Sequence, residues 1–268
     1  MNVSSQLSGG RAIRLIQLSD CHLGADEHFK LAGVRTASSL GAVLSTLAPE
    51  MPACELLLVS GDIAADGEQD SYTLFEKLLP EGTPLAWLPG NHDDFTLMQQ
   101  VFKQPFRRAV VLGDWVVVSL VSAVAGRVGG MLCDTELAEL KKLLHKYRDY
   151  HVALFVHHPP APVNCLWLDR QRIGNHQALE SLLSDSPNVR AIFSGHVHQD
   201  FATRWAGVPV YTAPSTCFQF SAGSDEFAIA DQAPGYRWIH LCPDGSVETD
   251  VAYADQEGWQ VDHRCIGY

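Results

Sequence analysis

No run of apolar residues in the 268-residue chain approaches the roughly 20 that a helix needs to span a bilayer, so no membrane-spanning segment is expected. Positive charge is scarce. Nineteen Lys and Arg face 31 Asp and Glu, a formal net charge of -12, and that balance argues against broad binding to nucleic acid or to an anionic membrane. An anionic substrate would need strong local positive charge, of the kind that bound metal ions supply. The seven cysteines (Cys21, Cys54, Cys133, Cys165, Cys217, Cys242, Cys265) are odd in number, scattered and without a CxxC pair. A disulfide framework and a zinc ribbon are both disfavoured, and a reducing cytoplasm is the expected location. The glycine-rich stretch 126–132 carries neither GxGxxG nor GK[ST] and is not read as a nucleotide cradle. Residues 1–10 are polar and Ser/Gly-rich, with no charged n-region or apolar h-region, so a disordered tail is expected rather than a secretory signal. Linker composition and internal repeats are absent, which leaves residues 11–268 as one expected domain.

The composition that is present, 46% hydrophobic and 19% charged, belongs to an ordinary globular protein with room for a sizeable core. Arg14–Ser19, Leu56–Ser60, Pro84–Trp87, Trp115–Ser122, His151–Val156 and Val189–Ser194 read as strands. Between them, helices are expected over Gly33–Leu47, Tyr72–Leu79, Phe95–Phe102, from a cap at Asp134 or Thr135 through Leu144, and around Gln177–Leu183. After residue 200 the pattern changes to short alternating strands at Val208–Thr212, Phe218–Phe220, Tyr236–Leu241 and Val247–Tyr253. This order predicts an α/β chain with helices layered around stacked mixed sheets.

Five of the strands run into residues that can bind a hard metal. The first leads to Asp20-Cys21-His22, whose i and i+2 side chains share a side of an extended segment. The others lead to Gly61-Asp62, Gly90-Asn91-His92-Asp93, His157-His158-Pro159-Pro160 and Gly195-His196-Val197-His198. Each alone has an ordinary reading as a cap or a turn. Taken together, Asp20, His22, Asp62, Asn91, His157, His196 and His198 are oxygen and nitrogen donors with no thiolate among them. All lie at strand ends, where α/β sheets gather their sites. One four-coordinate zinc would leave three or more of them unexplained, whereas two metals sharing a carboxylate would use them all.

The succession D-x-H, G-D, G-N-H-D, H-x-P and G-H-x-H resembles the calcineurin-like metallophosphoesterase superfamily, over roughly residues 14–200. That resemblance implies a four-layer α/β/β/α sandwich of two mixed β-sheets flanked by helices. It implies that Asp20, His22 and His198 hold one metal, that Asn91, His157 and His196 hold the other, and that Asp62 bridges them. His157 rather than His158 is the implied ligand, since the family pattern is His-x-Pro. His92 would stabilise the transition-state charge or protonate the leaving oxygen, as an imidazole can, with Asp93 orienting it and favouring its cation. His22, Asn91, His92 and His198 would also border the substrate. A solvent hydroxide held between metals about 4 Å apart would attack phosphorus in line with the departing oxygen. Iron or manganese is the expected metal pair, with zinc and cobalt also suited to mixed N/O ligation.

The stretches 195–200, 213–220, 234–237, 33–36 and 61–67 look like those of the class III cyclic nucleotide phosphodiesterases, although Arg35 and Ala65 are less typical. This implies a small-molecule substrate, a 3′,5′-cyclic nucleotide and foremost cyclic AMP, opened to the 5′-monophosphate. The competing readings are a broad phosphodiesterase acting on glycerophosphodiesters or other small diesters, and a metal-binding scaffold without catalysis, which the retention of every ligand and of His92 disfavours. A nuclease is disfavoured by the acidic balance. For oligomeric state the default is a C2 homodimer.

Overall fold

The computed structural model describes residues 10–255 and 259–267, so the expected N-terminal tail, apart from Gly10, lies outside the described residues. Two large mixed sheets carry the fold. One has five strands in the order Val247–Tyr253, Gly235–Leu241, Ile13–Leu18, Leu56–Val59, Leu85–Trp87, the last three parallel to one another. The other has six in the order Phe201–Trp205, Val208–Thr212, Val189–Ser194, His151–Val156, Trp115–Leu120, Ala109–Leu112, parallel through the central four.

The central parallel strands are nearly continuous apolar runs because both faces of each sheet are covered there. Successive side chains point to opposite faces. Leu56 and Leu58 therefore meet Trp115, Val117, Phe155 and Phe193 between the two sheets. Leu57 and Val59 face outward onto Leu40, Val43, Tyr72 and Phe75 of the helices Thr36–Leu47 and Gln69–Leu78. On the second sheet Val116, Val118, Val152 and Leu154 pack against Leu140, Leu144, Leu179 and Leu183 of Asp134–Lys146 and His176–Ser184. The result is the expected four-layer α/β/β/α sandwich. A fully buried side chain of this size contributes roughly 1.5–3 kcal/mol, so the three clusters fix the spacing of the layers.

Polar groups fix the sheets relative to each other near their functional edge. Gln17 Nε2 donates to Ser60 Oγ at 2.8 Å and, across the sandwich, to the carbonyl of Ser194 at 3.1 Å. Arg237, only 2% exposed, donates through Nε to the carbonyl of Thr212 at 3.1 Å and pairs with Asp200.

Several boundaries differ from the sequence reading. The first helix starts at Thr36 because Lys30–Leu31 and Val34–Arg35 form a small hairpin before it. The helix Asp134–Lys146 is entered through Cys133, whose side chain makes no capping bond, so neither Asp134 nor Thr135 is the cap. Asp134 and Glu136 instead sit in its first turn, where acidic side chains complement the helix dipole. The edge strands Ala109–Leu112 and Phe201–Trp205 and the four-residue helix Leu166–Asp169 were not among the expected elements. The second of these edges closes a hairpin through Ala206 and Gly207, both at positive φ.

Candidate metal centre

Each ligand-type residue follows the carboxyl end of a parallel strand. Asp20 and His22 follow Ile13–Leu18, Asp62 follows Leu56–Val59, Asn91 follows Leu85–Trp87, His157 follows His151–Val156, and His196 and His198 follow Val189–Ser194. Their backbones are unusual. Asp20, His22, Asp62, His196 and His198 all have φ between 45° and 67°, a left-handed conformation costing a non-glycine residue roughly 1–2 kcal/mol. Cross-loop bonds hold it in place: Asp20 N–H donates to the carbonyl of Gly61 at 3.0 Å and His22 N–H to that of Asp62 at 2.9 Å. Two glycines let the loops close up. A Cβ at Gly90 would run into the Asp62 carboxylate, and one at Gly195 would run into Ser19 Oγ.

The structure brings all seven predicted donors together. Asp20 Oδ1 lies 3.4 Å from His198 Nε2, which lies 3.2 Å from His22 Nε2. His22 Nε2 is 3.9 Å from Asp62 Oδ2, and the same oxygen is 3.1 Å from His157 Nε2. Asn91 Oδ1 is 3.2 Å from that nitrogen, and the His157 and His196 rings are 5.2 Å apart. Asp20, His22 and His198 form one compact group of donor atoms, and Asp20, Asp62 and His157 form another. Apart from Asn91, which is half-buried, these side chains are shielded from bulk solvent.

The ring nitrogens are committed in a way that suits metal ligation. His157 Nδ1 lies 2.8 Å from the carbonyl of Ser60 and His198 Nδ1 lies 2.9 Å from that of Phe218. A carbonyl can only accept, so each Nδ1 carries a proton and Nε2 is the nitrogen each ring turns to the cluster. His196 works the other way round: its Nε2 is 3.1 Å from Gln171 Oε1, which leaves Nδ1 for a metal. His158 lies within reach of His157 and His196, yet both of its ring nitrogens are engaged elsewhere. Its Nε2 donates to the carbonyl of Val128 at 2.9 Å and its Nδ1 accepts from Ser122 Oγ at 2.8 Å. Burial and the neighbouring His157 push its pKa down to about 3, so it is a neutral ring spent on holding its loop.

Asp93 is engaged with the backbone on both sides of the two loops. Its carboxylate accepts from the backbone N–H groups of Gly90 at 2.9 Å, Ala64 at 3.0 Å and Ile63 at 3.1 Å, stapling the Gly-Asp loop to the Gly-Asn-His-Asp loop. The ring of His92 is set by its Nδ1, which donates to the carbonyl of Ala65 at 2.8 Å. Ala65 directly follows the segment that Asp93 staples. The His92 ring stands edge-on to His22 at 4.9 Å.

Burial drives His22 and His196 well below the ordinary imidazole value, so both are neutral donors near pH 7. Burial also works against a charge on His157, but Asp62 beside it more than offsets this and pushes the ring up to about 9. Burial would raise Asp62 in turn, yet His157, His92 and His22 around it hold its carboxyl well below the usual carboxylate range. A shared carboxylate, neutral imidazoles with fixed tautomers and one proton ready to be displaced fit a divalent metal pair.

The cluster floors a cleft of about 250 Å³. Asp62, Asn91, His92 and His196 lie at its base with Gln171 beside them, while Trp167, Phe220, Phe227 and Val128 form its sides. Phe220 closes the stretch 213–220 that carries the resemblance, whereas Gln171, Trp167 and Phe227 were not foreseen. These three sit in or beside loops with no hydrophobic period, and no feature of the sequence singles them out.

The sequence profile of the calcineurin-like phosphoesterase family matches residues 13–200. The chain is 38% identical over 260 residues to the 3′,5′-cyclic adenosine monophosphate phosphodiesterase CpdA of Pseudomonas aeruginosa, a match covering 96% of each chain. It is 33% identical over 267 residues to the protein of the same name from Escherichia coli K12, covering 98% of this chain and 97% of that one. Among solved structures, a dimetal phosphatase from Danio rerio is similar in fold, with a TM-score of 0.61 at 13% identity over 92% of this chain and 100% of that one.

Proposed function

The chain belongs to the calcineurin-like phosphoesterase family, and on that premise we propose that it hydrolyses 3′,5′-cyclic nucleotides, cyclic AMP foremost, to 5′-monophosphates. The observation that carries the substrate is the 38% identity, along 96% of the chain, to a protein named for cyclic AMP hydrolysis. The His and Asp cluster carries the need for metal.

In this reading Asp20, His22 and His198 would hold one metal, Asn91, His157 and His196 the other, and Asp62 both. Two bound metals would neutralise the phosphate and lower the pKa of a solvent nucleophile. The N/O donor set favours iron or manganese and accommodates zinc or cobalt. The carbonyls of Ser60 and Phe218 keep the His157 and His198 rings aimed. As the bond between phosphorus and O3′ breaks, His92 in its imidazolium form would give the Nε2 proton to that oxygen and become neutral, with Nδ1–H still donating to the Ala65 carbonyl. Asn91, which lines the cleft, would border the phosphate, whereas His22 and His198, expected there too, are buried beneath the cleft floor. All seven cysteines are free thiols, which supports a cytoplasmic location. Among the described residues no helix is long and apolar enough to cross a membrane.

Relative kcat/KM on cyclic AMP, glycerophosphocholine and a generic aryl phosphodiester tests the proposal. It requires cyclic AMP to be the best of the three, with 5′-AMP as product. A glycerophosphodiester turned over better than cyclic AMP would overturn it.

A further inference from the structure

One side of the metal-site cleft is built from rings. Trp167 stands on the short helix Leu166–Asp169, Phe220 on the strand Gln219–Phe220, and Phe227 in the connection from that strand to Ile229–Ala230. Trp167 is 4.9 Å from Phe220 and 5.4 Å from Phe227 between ring centroids, and the two Phe rings are 5.5 Å apart. The cluster begins at the proposed ligands themselves, because the Phe220 ring stacks on His198 at 4.2 Å and 15°. Phe220 is buried, while Trp167 and Phe227 are half-buried and keep part of their surface open. Among the described residues, no Lys or Arg lines the cleft.

The cleft thus divides into a polar floor and an apolar, aromatic side. A substrate that fits it carries one anionic group for the floor and a flat uncharged group for the rings. A cyclic nucleotide has that form, its single negative charge at the phosphate and its base at the other end. We infer that Trp167 and Phe227, backed by Phe220, form the surface on which the base of the nucleotide stacks. The inference rests on the cyclic nucleotide reading above and says which residues confer the preference for a nucleotide. Stacking accepts any base, and the margin between purine and pyrimidine follows ring area rather than hydrogen-bonded readout.

The test measures binding of 5′-AMP and of ribose 5-phosphate to manganese-loaded protein by calorimetry, for wild type, Phe227→Leu and Trp167→Leu. Leucine keeps the site apolar and removes the ring face. Wild type is expected to bind AMP about 5- to 150-fold more tightly than ribose 5-phosphate, the range that base stacking on an aromatic side chain supplies. The variants should lose most of that margin and bind ribose 5-phosphate as wild type does. Equal affinity of wild type for the two ligands, or variants that weaken both alike, would overturn the inference. The same rings could receive a quaternary ammonium group, so tighter binding of glycerophosphocholine than of AMP would overturn it too. The two readings fail separately: a protein that shows the AMP margin but turns over no cyclic AMP refutes the proposed reaction and leaves the base surface standing. Phe227 lies in a surface connection, so Phe227→Leu keeps the test usable if Trp167→Leu fails to fold.

Discussion

The backbone N–H of His92 donates to Oδ1 of Asp62 at 2.9 Å. The other oxygen of that carboxylate, Oδ2, lies 3.1 Å from His157 Nε2 and 3.9 Å from His22 Nε2. One side chain therefore touches both halves of the proposed metal centre and the backbone of the proposed acid. Asp62→Ala should strip metal from both sites, seen as close to zero metal per chain by elemental analysis. A variant that keeps one full equivalent would contradict the bridge.

His92 lines the cleft with Nδ1 tied to the Ala65 carbonyl. If it is the leaving-group acid, His92→Ala should lower turnover on the order of 10²-fold or more while metal content stays normal. An unchanged rate would remove it from that role.

The three backbone N–H groups gathered by Asp93 lose their acceptor in Asp93→Ala. Each buried donor left unpaired costs about 1–3 kcal/mol, so urea unfolding should report a loss on the order of 3 kcal/mol, with Asp93→Asn milder because it keeps one acceptor oxygen. A loss near zero would mean that the staple contributes nothing.

Without metal, the pair of His157 and Asp62 stores a proton near neutral pH. Its folded-state value of about 9 lies above the ordinary 6.5, so the stability it adds is fully present below 6.5 and is lost as pH rises through 9. Metal must displace that proton to use Nε2. Loading at pH 7 should therefore release at least one proton, and apparent affinity should rise as pH approaches 9. Calorimetric titration of the stripped protein with manganese, in two buffers of different ionisation enthalpy, reads the proton directly. No buffer dependence would contradict the pairing.

The sheets and the ligand blocks were legible because both follow from one physical fact. A strand buried on both faces, such as Leu56–Val59, is an unbroken apolar run, and it stops where the chain turns polar at Gly61-Asp62. The edge strand Ala109–Leu112 is an apolar run of the same length, but it is half-exposed and was not singled out. The work of Asp93 was hidden because backbone N–H groups, its partners, carry no sequence signature. Gln171 was hidden for a related reason: its contact with His196 spans 25 positions and depends on a loop whose path no local pattern dictates. The aromatic side of the cleft assembles from Trp167, Phe220 and Phe227, which only the tertiary fold brings together.

The most direct measurement is the initial rate on 3′,5′-cyclic AMP of protein stripped of metal, before and after reconstitution with manganese, with the product identified. A cyclic AMP phosphodiesterase built on this centre gives no rate before reconstitution and 5′-AMP after it. Two metals bound with cyclic AMP left intact would contradict the proposed reaction.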